Sequence, residues 1–351
     1  MKKILGLMLG TTILAVSPMT TQAASAAERC AIAWSHYTGW EPAGYIEDKG
    51  LAKKWGAKYG VDLSFTLIGD YIESVNQYTA GGFDGVTVTN MDGLTIPAVG
   101  GVDTTALVIG DFSNGNDGIL INSKDGVGVK DLKGKDVKLV ELSVSHYLLA
   151  RALEKSGMSE RDVKVVNTSD ADLGGLISTS TPGDAFVTWN PILQAGRNVP
   201  GIHMVFDSSK IPGEIVDTIM VRTNVSDNCK KAVTGAWYEA MAAMAAGDRG
   251  AITHMAETAG GTVAEFNAQL KTTRMFYDAG EAAAFARSDN LVKTMDYVRK
   301  FSFDHGLFGD GADSPDFIGI AFPDGHVLGN AGNVKLRFDD SFMQMAAEGK
   351  L

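Results

Sequence analysis

The chain is 351 residues long, carries 42 acidic against 31 basic side chains and has a formal net charge of −11. Such acidity opposes nucleic acid or anionic lipid as a partner, and the length allows two packed lobes, each with its own core. With only two cysteines, Cys30 and Cys229, the chain is not a disulfide-dense scaffold, and a pair so far apart without a nearby histidine cluster makes a poor zinc site.

Met1-Lys2-Lys3, an apolar run from Ile4 to Val16 broken only by Gly and Thr, and small residues around Ala24-Ser25-Ala26 follow the order of a secretory signal peptide, cut near Ala26. The run is too short to span a bilayer, which takes roughly twenty residues. Cys30 stands behind Glu28 and Arg29 rather than at the cut, so no lipid anchor is expected. Export to an oxidising compartment permits Cys30 and Cys229 to pair, and the sequence leaves the pairing open.

Beyond the leader, Ala31–Trp34 reads as a strand, followed by an aromatic loop Ser35–Trp40 and a helix over 41–59 with Pro42 in its first turn. Residues 61–67 alternate as a half-buried strand, 71–80 are helical, and 85–89 form another strand ahead of a helical turn from Met91. This β-α-β-α opening implies parallel strands with helical crossovers. After the strand 105–109, the turn formers Asn114-Gly115-Asn116-Asp117-Gly118 mark a place for the chain to leave one lobe. The alternation resumes with a strand over 134–140, a helix over 146–157 introduced by serine, a strand over 163–166, a helix over 172–178 and the strand Asp184–Trp189 ending in Asn190-Pro191. An apolar strand near Pro212–Val221 is the natural return, and helical patterns dominate from about Asp227. The expected division is a leader over 1–26, a first lobe over 27–115, a second over 116–214, and a return to the first over 215–351.

The helix running into Asp48-Lys49-Gly50-Leu51, the turn Gly82-Phe83-Asp84-Gly85, the acidic loop at Glu141 and the segment Asp184–Pro191 together resemble the periplasmic binding proteins of nitrate, sulfonate and taurine ABC importers. The resemblance extends over nearly the whole exported chain and is greatest for the branch associated with urea carboxylase. It implies an α/β fold of two lobes with two crossovers, each lobe a parallel-rich sheet flanked by helices. It also implies a monomer in the periplasm that closes on a small solute and docks on an inner-membrane permease, with no cofactor and no catalysis.

In such folds ligands sit where loops leave the carboxyl ends of strands. That rule selects Ser35, Tyr37, Trp40, Asn90, Asp92, Glu141, Ser143, Trp189, Asn190 and Asp217 as the ligand-binding candidates, with Glu141 the foremost carboxylate because it directly follows an apolar strand. Glu41 and Glu214 lie in the same loops, and His146 begins the following helix. These loops contain no Lys or Arg, whereas an anion calls for cationic donors or helix-start amides. Carboxylates beside indole faces suit a flat, donor-rich cation. Guanidinium is therefore favoured, urea or a derivative second, and taurine, sulfonate or nitrate the alternative. An enzyme on the same fold is the remoter option. Ser143-Val144-Ser145-His146 is no triad, and the chain lacks a G-x-S-x-G elbow, an H-E-x-x-H pair and a phosphate loop.

Overall fold

The computed structural model describes residues 27–125 and 127–351, so the expected signal peptide and its cleavage site lie outside the described residues. The chain opens with β1 (Glu28–Trp34), α1 (Pro42–Asp48), α2 (Leu51–Tyr59), β2 (Val61–Leu67), α3 (Tyr71–Thr79), β3 (Gly85–Thr89), α4 (Asn90–Gly93) and β4 (Thr104–Ser113). β1 pairs in parallel with β2 and β3. Val61, Leu63 and Phe65 on alternate positions of β2 are buried, the period-2 pattern of a strand with one face on a core. The helix expected over 41–59 is two helices, because Gly50 adopts φ of 71° between them and breaks the helical path.

Between Ser113 and Asp117 the chain leaves this sheet and builds a second one from β5 (Asp117–Asn122), β6 (Asp136–Leu139), α5 (Val144–Lys155), β7 (Lys164–Asn167), α6 (Asp170–Ser178), β8 (Ala185–Trp189), α7 (Ile192–Arg197) and β9 (Ile202–Asp207). The strand order is β7-β6-β8-β5-β9. β10 (Val216–Arg222) returns to the first sheet, inserting antiparallel between β3 and β4. Later strands β11 (Thr273–Met275), β12 (Gly319–Ala321), β13 (Val327–Gly329) and β14 (Val334–Phe338) extend the first sheet past β4. The helical patterns read beyond Asp227 miss these strands, and miss β9 in the second lobe. Runs of three to six residues carry too few positions for a period to register.

The α8 helix (Asp227–Ala245) packs on α1 and α2, burying Trp237 completely. Cys30 of β1 and Cys229 in the first turn of α8 form a disulfide, with their Cα atoms 5.7 Å apart. The bond staples that helix to the strand next to the β2 edge of the first sheet. No helix among the described residues is long and apolar enough to cross a membrane.

Candidate functional site: an acidic, aromatic cavity between the lobes

Antiparallel pairing sets the site's chemistry. Asp217 on β10 stands opposite Thr89 at the end of β3 and opposite Asp111 on β4, so three neighbouring strands place a hydroxyl and two carboxyls in one row. The second lobe answers with Asp117, the first residue of β5, which stands opposite Trp189, the last residue of β8. A small cavity lies between these two sets, lined by Tyr37, Trp40, Tyr71, Thr89, Asp117, Val144, Trp189, Ile215 and Asp217. The space is far smaller than the roughly 300–1,000 Å³ of sites for drug-sized ligands.

Its walls are aromatic. Ring centroids step from Tyr37 to Trp40 at 5.0 Å, Trp40 to Tyr71 at 5.5 Å and Tyr71 to Trp189 at 5.6 Å, the last step crossing the lobes. Trp189 also donates its Nε1–H to the carbonyl of His36 at 3.2 Å, tying the second lobe to the first-lobe loop. That loop can approach β4 because residue 39 is glycine: a Cβ there would collide with the Asp111 carboxylate and the Tyr37 ring.

Four carboxyls at or behind this wall are fully buried, and each lacks at least one hydrogen-bond partner. Asp217 has none on either oxygen, and Asp117 has none on Oδ2. Tyr37 donates its hydroxyl to Asp111 at 2.9 Å, while Tyr71 and Thr89 donate theirs to Asp92 at 2.6 and 2.9 Å. Burial pushes the Asp92 carboxyl up to about 6 and the Asp117 carboxyl up to about 7. Asp111 is raised by burial too, against the pull of Tyr37, and Asp217 is driven up by burial and then by the negative charges of Asp111 and Asp117. Among the described residues lining the cavity there is neither Lys nor Arg.

Of the residues expected from sequence, Tyr37, Trp40, Trp189 and Asp217 line the cavity together. Asp92 stands one layer behind Tyr71 and Thr89. Ser35 is buried beside them in sequence, and its hydroxyl has no partner. Asn90 is spent on structure: its Oδ1 accepts from the Val216 amide and its Nδ2 donates to the Glu214 carbonyl, anchoring the start of β10. Ser143 caps α5 by accepting from the Ser145 amide, and Asn190 accepts from the Gln194 amide at the start of α7. Glu141 is exposed and lines a groove at the cleft's outer edge with Asp70 and Asp170, outside the cavity. The chain turns outward after β6, leaving only the Glu141 amide engaged, with Asn167 Oδ1 at 3.1 Å. Glu41 is buried against His36 at 2.9 Å, and Glu214 is held by Arg151 and Tyr147. His146 pairs with Glu160. Sequence reasoning missed Tyr71, Thr89, Asp111 and Asp117 as members of this set. Only the strand register, which brings Asp111 beside Asp217, marks the first of the two acids.

Over residues 50–225 the sequence matches the family described as NMT1/THI5 like. The chain belongs to that family. Solved structures share the fold at low identity: the alkanesulfonate-binding protein SsuA from Xanthomonas axonopodis pv. citri, bound to MOPS, superposes with a TM-score of 0.66 at 16% identity, covering 82% of this chain and 96% of that one. The periplasmic aliphatic sulphonate binding protein SsuA from Escherichia coli gives a TM-score of 0.61 at 18% identity, covering 80% of this chain and 88% of that one. The periplasmic nitrate-binding protein NrtA from Synechocystis PCC 6803 gives 0.59 at 12% identity, covering 93% and 99%. No curated protein sequence matches. This NMT1/THI5-like chain therefore has the two-lobed fold of periplasmic binding proteins, with its cavity where the two sheets face each other.

Proposed function

We propose that this chain is the exported solute-binding component of an ABC importer, taking a compact, flat, nitrogen-rich cation into the interlobe cavity, with guanidinium the favoured solute and urea the second. The observation that carries this reading is the pairing of Asp117 from one lobe with Asp217 from the other, both buried and open on at least one oxygen, across a cavity walled by Tyr37, Trp40, Tyr71 and Trp189. Carboxylates accept forked N–H bonds, and indole and phenol faces attract a cation. A cation bridging the two acids would gain contacts only in the closed form, which is the condition for a solute to shift the lobes' equilibrium. The periplasmic binding proteins that share the fold support a permease partner and a periplasmic location, and the site's role in this reading is capture without chemistry.

Relatives of this fold bind sulfonate or nitrate, but an anion here would meet unpaired carboxyls and no cationic side chain. Urea fits the shape without compensating the charge. A thermal-shift series on the purified protein, kept dilute in guanidinium so that denaturation does not intrude, separates these readings. A solute at a hundred times its dissociation constant adds about 2.7 kcal/mol. Stabilisation by guanidinium ahead of urea, with none from taurine or nitrate, is the expected result; stabilisation by an anion alone would overturn the reading.

A further inference from the structure

Away from the cavity, the helix Asp289–Asp304 packs on α4 of the first lobe, where Asn90 reaches the Met295 sulfur at 3.4 Å. Its other side meets α5 of the second lobe. Tyr147 of α5 stands edge-on to Phe301 with ring centroids 4.9 Å apart, and the Arg151 guanidinium lies 4.5 Å over the Tyr297 ring. Tyr297 donates its hydroxyl to Glu154 at 2.8 Å. At the end of this seam Glu160, in the turn before β7, stands between two histidines. His146 of α5 meets one carboxylate oxygen, and His305, the residue after the first-lobe helix, meets the other.

The remaining ring nitrogens decide where the protons are. His146 Nδ1 accepts the Leu142 amide at 3.1 Å, so a single ring proton, on Nε2, satisfies the contact with Glu160. His305 has no such donor. Its Nδ1 faces the Phe301 carbonyl at 2.8 Å and its Nε2 faces the Glu160 carboxylate, so both nitrogens must carry hydrogen. A neutral ring has one N–H and must surrender one of the two acceptors. The Glu160 carboxylate raises His305 above its ordinary value, and against the upward push of burial the two imidazoles hold Glu160 down to about 2. Glu154, Lys300 and Asp304 are the other charged groups lining the groove beside the pair, with the Tyr297 phenol; Asp304 adds to the pull on the His305 proton, and Lys300 is engaged by Asp296 at 2.7 Å.

We propose that the His305–Glu160 pair is a proton-operated latch between the lobes, fastened while His305 is an imidazolium and loosened when it becomes neutral. The pair joins the first-lobe helix to the second lobe at the end of a seam that is otherwise aromatic, so it is the part of the joint that responds to pH. Because folding raises His305, its contribution is complete below the ordinary histidine range and fades as pH rises through the raised value. The latch does not depend on which solute enters the cavity.

The test uses the full chain without solute. Followed by NMR, the His305 ring should titrate above the ordinary histidine value of about 6.5 in the wild type and fall back towards it in Glu160→Gln. Small-angle scattering at about pH 6 and about pH 9 should show the wild type more extended at the higher pH. His305→Gln, whose side-chain amide donates to Glu160 without a titrating charge, should lack that change. The cavity carboxyls also titrate towards this window, so the readout is the difference between wild type and variant. Glu160→Gln supplies the same comparison if His305→Gln fails to fold. A His305 that titrates at or below the ordinary value, or a change in scattering no larger in the wild type than in the folded variant, overturns the latch.

Discussion

At the residue scale, the cavity gathers buried carboxyls that lack hydrogen-bond partners, which is costly unless their charge is removed or compensated. Replacing Asp117 or Asp217 with Asn should weaken guanidinium binding by about 2–5 kcal/mol, the usual loss on truncating one member of a buried charge pair, while affecting urea much less. Titration calorimetry on the two variants checks this. Glu141→Gln should leave guanidinium affinity within about twofold of wild type, since an exposed charge outside the cavity is screened by solvent. The pH dependence follows from the direction of the shifts. Asp92, Asp111, Asp117 and Asp217 are all raised from an ordinary value of 3.8, so between about pH 4 and pH 7 the folded protein holds protons that the unfolded chain has released. Solute-free stability should therefore fall as pH rises through that window, and chemical denaturation at several pH values would reveal a rise as an error in the account. Tyr37, Trp40, Trp189 and Asp217 were legible in the sequence because they stand at strand ends, where loops meet a cleft. Asp111 was not, because it lies within the long strand β4 and only its register with β10 makes it part of a pair. Asp117 reads as one of several turn formers beside Asn116 and Gly118 until β5 is seen to begin there.

At the element scale, three devices fix the cavity's first-lobe wall. The β3-β10-β4 ladder sets the row Thr89, Asp217 and Asp111, the glycine at 39 lets the aromatic loop reach that row, and the disulfide anchors β1 to α8. Gly39→Ala should abolish solute binding and lower stability, because the added methyl has only the Asp111 carboxylate and the Tyr37 ring to displace. The disulfide closes a loop with a sequence separation of 199 residues, so replacing both cysteines with serine should cost roughly 3–5 kcal/mol in chemical denaturation. Most β and α elements up to β10 were legible from periodicity and caps, with boundaries within a few residues. The short C-terminal strands were not, because their place in the sheet depends on partners far away in sequence: β11 and β14 pair with β4.

At the scale of the molecule, two sheets joined by two passages of chain face each other across a cavity lined by aromatic and acidic side chains. The fold is shared with proteins that bind sulfonate and nitrate, so the fold alone does not choose the solute. On the proposed reading the choice lies in the residues each lobe presents: Asp217 and the aromatic loop from one, Asp117 and Trp189 from the other. Burial raises the carboxyls of Asp117 and Asp217, so a cation that binds there should favour their ionised forms and release protons. The most direct measurement is calorimetric titration of guanidinium and urea at about pH 6 and about pH 8, in buffers of different ionisation enthalpy. The account predicts that guanidinium binds more tightly at the higher pH and releases protons, while urea binds more weakly. Guanidinium affinity that ignores pH, or an anion that binds in its place, would contradict it.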